Sequence, residues 1–173
     1  MSATTRFSIT PSSTDTLHTS SSIQYFAQKI TIPAYTLRTK ALLRFGASFK
    51  ATGTNSTDTF TYTIYLGTAS DNTGAKLAES AAVDLADNEV GGAWGEFQVK
   101  TYGAASVGVL AGSGSAVAVT GGTVKTTTFD TTEAQLDFTA DMYLIAACTQ
   151  SVSSASNVAR LDSLWCEIVP FAV

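Results

Sequence analysis

Charge is what this sequence has least of. Only 14% of its 173 residues are Asp, Glu, Lys or Arg, against roughly 25% in ordinary soluble domains. Ten basic and 14 acidic residues leave a formal net charge of −4. The Lys and Arg are scattered without a run, which argues against a nucleic-acid partner, because phosphate binding needs a basic face. Histidine occurs once, at His18, and cysteine twice, at Cys148 and Cys166. That stock cannot build a tetrahedral zinc set within one chain. A hydrolytic triad would have to use His18, which sits in a polar stretch with nothing to orient it as a base. The expectation is therefore no catalytic residue, no metal and no cofactor. Long apolar runs are missing too. The nearest, Ala104 to Val119, is short and broken by Gly and Ser, so no membrane span of roughly 18 apolar residues is expected. Met1 to Phe7 lacks the apolar core of a secretory signal.

What fills the chain is Ser and Thr, about a quarter of all residues, together with 45% hydrophobic residues. Thr is β-branched and suits a pleated, half-wetted surface. Few charges also mean few to desolvate when a neighbour covers the surface. At this length one domain with one core is expected.

The apolar residues recur with period two. Leu43, Phe45, Ala47 and Phe49 alternate with Arg44, Gly46, Ser48 and Lys50. Phe60, Tyr62, Ile64 and Leu66 alternate with Thr61, Thr63 and Tyr65. Phe97 and Val99, then Leu136, Phe138 and Ala140, then Leu164, Cys166 and Ile168 show the same phase. Such runs predict strands with one face inward and one outward, the habit of antiparallel sheets. Turn signals separate them: Ala51 to Asp58, Gly67 to Gly74, Asp87 to Gly92, Gly112-Ser113-Gly114, Gly121-Gly122 and Ser151 to Asn157. Ala75 to Ala86 is the one tempting helix, and its strand-like flanks favour a strand followed by a loop. Eight to ten strands at regular spacing predict an all-β fold, an antiparallel two-sheet β-sandwich of jelly-roll type. Residues 1–22, Ser/Thr-rich and poor in apolar content, read as an N-terminal extended arm; residues 23–173 read as the sandwich domain.

Cys148 and Cys166 lie in apolar strand-like runs and read as buried free thiols, with pairing left open should their strands be neighbours. Asp84, Asp87 and Glu89 cluster in one loop. They lack the Asp/Asn ladder and closing Glu of a helix–loop–helix calcium site, so turn-capping carboxylates are the reading. The rings Tyr25, Tyr35, Tyr62, Tyr65, Tyr102, Trp94 and Trp165 could make a sugar platform on a sheet face, but the alternation lets most of them serve the core or an interface. Trp165 is the best ring for a partner, being out of phase with Leu164 and Cys166. Arg6, Phe7, Tyr35, Tyr65, Trp94 and Trp165 are the candidate partner-facing residues.

Ile32-Pro33-Ala34-Tyr35-Thr36-Leu37, then Leu42-Leu43-Arg44-Phe45-Gly46-Ala47-Ser48, then Thr61-Tyr62-Thr63-Ile64-Tyr65-Leu66-Gly67 form an ordered series. With the Trp-headed strand Trp94 to Tyr102, the Thr-rich Thr126 to Ala140 and the closing Ala159 to Ile168, it resembles small structural proteins of tailed-bacteriophage virions. These are capsid cement or decoration proteins and tail or head-fibre domains. The likeness runs over about 30–169; the N-terminal segment and the small-residue-rich Ala104 to Val124 depart from it. The resemblance implies a jelly roll present in many copies, commonly a homotrimer, that binds and stabilises neighbouring major capsid subunits on the virion surface after synthesis in the host cytoplasm. Set against this are a fibre domain and a lectin-like, glycan-reading module.

Overall fold

The computed structural model describes residues 4–9, 16–18, 22–52, 58–84, 89–104, 107–120, 123–126, 130–154 and 156–170. Thirteen strands lie among them, with no helix: β1 (Thr5–Ile9), β2 (Thr16–His18), β3 (Gln24–Ile32), β4 (Leu42–Thr52), β5 (Thr59–Gly67), β6 (Ala75–Glu79), β7 (Val83–Asp84), β8 (Glu89–Thr101), β9 (Val109–Thr120), β10 (Thr123–Thr126), β11 (Asp130–Gln135), β12 (Met142–Gln150) and β13 (Val158–Val169). One sheet runs β1-β13-β4-β8-β9-β10, with β11 also on β9 and β2 also on β13; the other runs β3-β12-β5-β6, with β7 also on β5.

The pairings are nested and antiparallel. The outermost is β1 with β13, inside it lies β3 with β12, then β4 with β8, then β5 with β6. A four-pair hairpin rolled so that alternate pairs fall in alternate sheets is the jelly roll. Strands β9 to β11 are extra and widen the first sheet beyond β8. The chain is thus an all-β, antiparallel two-sheet sandwich of jelly-roll type. Residues 5–9 and 16–18, from the segment read as an arm, lie along β13 of the same chain, with Thr5 opposite Ile168 and His18 opposite Val158. β1 is the first strand of the roll.

The alternation in β4 is realised in full: Leu43, Phe45, Ala47 and Phe49 are buried. Phe49 stacks on Tyr62 of the facing sheet at 4.4 Å between ring centroids, 13° from parallel, which ties the two sheets at the centre of the core. In β13 the inward set is Ala159, Leu161, Leu164, Cys166 and Ile168. A bulge between Leu161 and Ser163 inserts one residue and shifts the phase, so two leucines three apart both face inward. Cys148 and Cys166 are free and buried on different sheets.

Thirteen strands stand where eight to ten were expected, and Gly112-Ser113-Gly114, read as a break, lies inside β9; two further expectations need correction. Leu136, Phe138 and Ala140 are not strand, because β11 ends at Gln135. The backbone instead turns, with Leu136 N–H bonded to Gly108 O, Phe138 N–H to Gly103 O, and the Asp137 carboxylate accepting the Thr139 N–H. Leu136 and Phe138 are buried as a plug at the end of the sandwich, which imitates strand alternation in the sequence. Second, Thr63 and Tyr65 do not face solvent, being only 2% and 9% exposed. Tyr65, Ile145 and Ala147 form a second apolar cluster outside the main core, flanked by Ile23, Tyr25 and Tyr143. The β5–β6 connection is tied to that face: Ser70 accepts from Lys29 Nζ and Asn72 N–H donates to the Tyr25 hydroxyl.

Candidate functional site: the outer face of the first sheet

Outward residues of β1, β13, β4 and β8 fall into rows fixed by register. In one row Arg6 stands opposite Glu167, Glu167 opposite Arg44, and Arg44 opposite Glu96. Signs alternate across four strands. Arg44 Nε bonds Glu96 at 2.6 Å and its Nη1 lies 3.8 Å from Glu167. The hydrogen bond and charge of Glu96 raise the Arg44 pKa above its ordinary value. The row sums to zero net charge.

The next row is Ser8, Trp165, Gly46 and Trp94. Gly46 carries no side chain, and the Trp165 indole occupies the space a Cβ would take, with Nε1 2.5 Å from that position. Trp165 is half-buried there, and the Arg6 guanidinium lies 5.4 Å from its ring centroid, in cation–π range. Trp94, two strands from Trp165, is 48% exposed. Beyond it the third row holds Ser163 and Ser48, whose hydroxyls bond at 2.7 Å, and Gly92. The face therefore has small residues, Ser8, Gly46, Ser48, Ser163 and Gly92, around two indoles in its uncharged middle, with the Arg44 ion pairs along one side. Arg6 also borders a groove of about 430 Å³ between β1 and β3, together with Phe7, Ser8, Lys29, Ile30 and Thr31.

Three of the six candidate partner-facing residues, Arg6, Trp94 and Trp165, meet on this face. Phe7 does not: it turns inward and packs against the core, because in β1 it is out of phase with Arg6 and Ser8. Tyr65 is nearly buried on the second sheet, where burial first and the Glu79 charge next raise its pKa. Tyr35, 55% exposed, stands apart in the β3–β4 connection. The seven rings of the sugar-platform reading are dispersed, with Tyr62 in the core, Tyr25 and Tyr65 on the second sheet and Tyr35 and Tyr102 at the sandwich end. Arg44, Glu96, Glu167 and Gly46 were missed as site residues. Their outward phase was readable, but their mutual opposition depends on register. The Asp84/Asp87/Glu89 loop lies outside the described residues at 85–88; among the described residues no three His, Cys, Asp or Glu gather as a metal set.

The fold defines an antiparallel jelly-roll sandwich, and the site defines an aromatic sheet face. No family model and no curated protein matches the chain. Among solved structures, the chain is similar to a structure of infectious bursal disease virus, Gx strain, at 10% identity and a TM-score of 0.47, over 97% of this chain and 32% of that one. It spans about a third of the length of that viral chain. Peanut lectin with a 9-mer peptide follows at 9% identity and 0.45, over 99% and 100% of the two chains. The CBM2 module of the Lactobacillus casei BL23 phage J-1 evolved Dit gives 12% and 0.32, over 83% and 70%.

Proposed function

We propose that this chain is a structural protein of a tailed-bacteriophage virion, a capsid cement or decoration protein that docks through the outer face of its first sheet. The observation that carries the reading is the Trp165–Gly46–Trp94 row beside the self-neutralised Arg6–Glu167–Arg44–Glu96 row. Covering a buried charge without a partner is costly. Here Arg44 is already ion-paired with Glu96 and Glu167 and Arg6 lies against the Trp165 ring, so a neighbour meets charges that have partners within the face. Trp and Arg are the residue types that dominate binding energy at interface centres. The partners in this reading are the major capsid protein and copies of this chain, commonly three, on the capsid surface, and the role involves no catalysis and no cofactor. Many copies would turn modest individual contacts into strong shell reinforcement by multivalency.

The test is reconstitution. Particles lacking the protein should lose tolerance to heat or low salt and regain it on adding the wild type, but not Trp94→Ala. Unchanged tolerance of the depleted particles rejects the cement role. Copy number separates shell from fibre, several hundred against a few or a dozen.

A second reading is favoured by one feature: the Trp94 ring is exposed beside Gly92, whose missing side chain leaves room for a sugar ring to stack. It predicts selective hits on a glycan array, lost in Trp94→Ala. A silent array disposes of it.

A further inference from the structure

At the end of the sandwich, away from the two-tryptophan face, the β3–β4 connection holds two non-glycine residues in the left-handed region, Tyr35 at φ 65° and Lys40 at φ 67°. That conformation disfavours any residue with a Cβ. Non-glycine residues persist there when surrounding contacts force them to, and such strain concentrates at functional sites. The contacts are on view. Tyr35 N–H bonds Phe138 O at 3.0 Å, Ala34 N–H bonds the Asp141 carboxylate at 2.8 Å, and Lys40 N–H bonds Val99 O at 2.7 Å.

These bonds hold the exposed Tyr35 ring beside Arg38. The Arg38 guanidinium lies 5.6 Å from the Tyr35 centroid and 4.9 Å from that of Tyr102. Tyr102 in turn stacks on Phe138, which is fully buried. A chain of four planar groups thus runs from the core to solvent, ending in a tyrosine forced into position. Arg38 forms no ion pair with a described carboxylate. Lys40 and Lys100 are exposed at the same end of the sandwich, since the Lys40 N–H bonds the Val99 carbonyl.

We infer that Tyr35 and Arg38 form a preset contact for a carboxylate on an acidic protein surface. The Arg38 guanidinium lies within cation–π range of both rings and is exposed, and its N–H fork matches a carboxylate with two parallel hydrogen bonds. Little side-chain freedom remains to be lost on binding, because the rings already fix the arginine. A nucleic acid fits poorly: three cations at one loop end of a chain of net charge −4 make no track for a phosphate backbone. The inference stands apart from the virion reading, since it concerns a different surface and its test needs no particle.

The test uses the full-length ¹⁵N-labelled protein titrated with a hexaglutamate peptide at low ionic strength. Shift changes should centre on the Tyr35 to Lys40 amides, Gly103 and Arg38 Nε. Arg38→Ala should weaken binding about tenfold or more, the loss typical of a central interface residue, and Arg38→Lys should fall between. Arg160→Ala, at a remote arginine, should leave it unchanged. Tyr35→Gly should melt no lower than the wild type, because glycine accepts φ 65°, yet bind the peptide several-fold more weakly. Shifts centred elsewhere, an unaffected Arg38→Ala, a Tyr35→Gly that is clearly less stable, or tighter binding of a DNA hexamer at the same loop would each overturn the inference.

Discussion

Trp165 rests its indole on the backbone of Gly46, so close that a side-chain carbon on Gly46 would meet Nε1 at 2.5 Å. The glycine is a shelf for the ring, and the ring closes the shelf to water. Gly46→Ala should lift Trp165 off the sheet. In a Trp94→Phe background, where Trp165 is the remaining indole, its emission should shift to the red and stability should drop by about 1–3 kcal/mol, the range for a side chain forced out of a packed position. An unshifted emission would mean the shelf is not filled.

β1 is bound to β13 through five residue pairs, and Phe7 reaches the core. Removing residues 1–9 should therefore lower the melting temperature by several degrees, as a loss of one to two kcal/mol does in a domain of about this size. Circular dichroism melts of the shortened chain decide it. An unchanged melting point would make the segment an arm that contributes nothing to its own domain.

Asp58 precedes β5 in one sheet and Asn157 precedes β13 in the other, and the Asn157 amide donates to the Asp58 carboxylate at 2.8 Å with both residues buried. This bond clamps the two sheets at one end. Asn157→Ala removes the donor and leaves a buried acceptor unsatisfied, at a cost of about 1–3 kcal/mol. Urea denaturation with an unchanged slope is the measure.

Burial raises the pKa of both thiols, pushing Cys166 up to about 12 and Cys148 higher still. Each should stay protonated and unreactive toward a thiol reagent at pH 8 until the protein unfolds. The sign for stability follows from the direction. Above about pH 9 the unfolded chain ionises its thiols while the folded one does not, so the unfolded state binds fewer protons and stability falls as pH rises toward 12. In the Cys148→Ala/Cys166→Ala double variant, that fall between pH 9 and 11 should be shallower.

The periodicity of β4, β8 and β13 was legible because one face of each meets a core and one does not. It failed where that condition fails. β5 and β12 are central strands of the second sheet and carry a second apolar cluster on the outside, so Tyr65 and Thr63 read as outward yet are buried. Leu136 and Phe138 kept the period without the strand, since two buried side chains on either side of Asp137, whose carboxylate caps the Thr139 N–H, leave the same spacing. Of the site, Trp94 and Arg6 were named as partner-facing without a phase, and Trp165 was legible as an out-of-phase ring. Their meeting was not, because it depends on which residue of β13 faces which of β4, and a bulge between Leu161 and Ser163 resets that count. The Tyr35–Arg38–Tyr102 stack was invisible for a similar reason: its members lie in connections, where spacing carries no period.

The nesting of the roll has a consequence for how the chain is made. Thr5 finds its partner in Ile168, so β1 has no neighbour along β13 until about 160 further residues have been synthesised. At roughly 5–20 residues per second that is a wait on the order of 10–30 s. Through it the edges of β4 and β1 that β13 will occupy stay open, and pairings this distant in sequence close slowly in any case. Newly made chains at high concentration therefore face a choice between the correct last strand and a neighbour's, and the ribosome's pace decides how long that choice stays open.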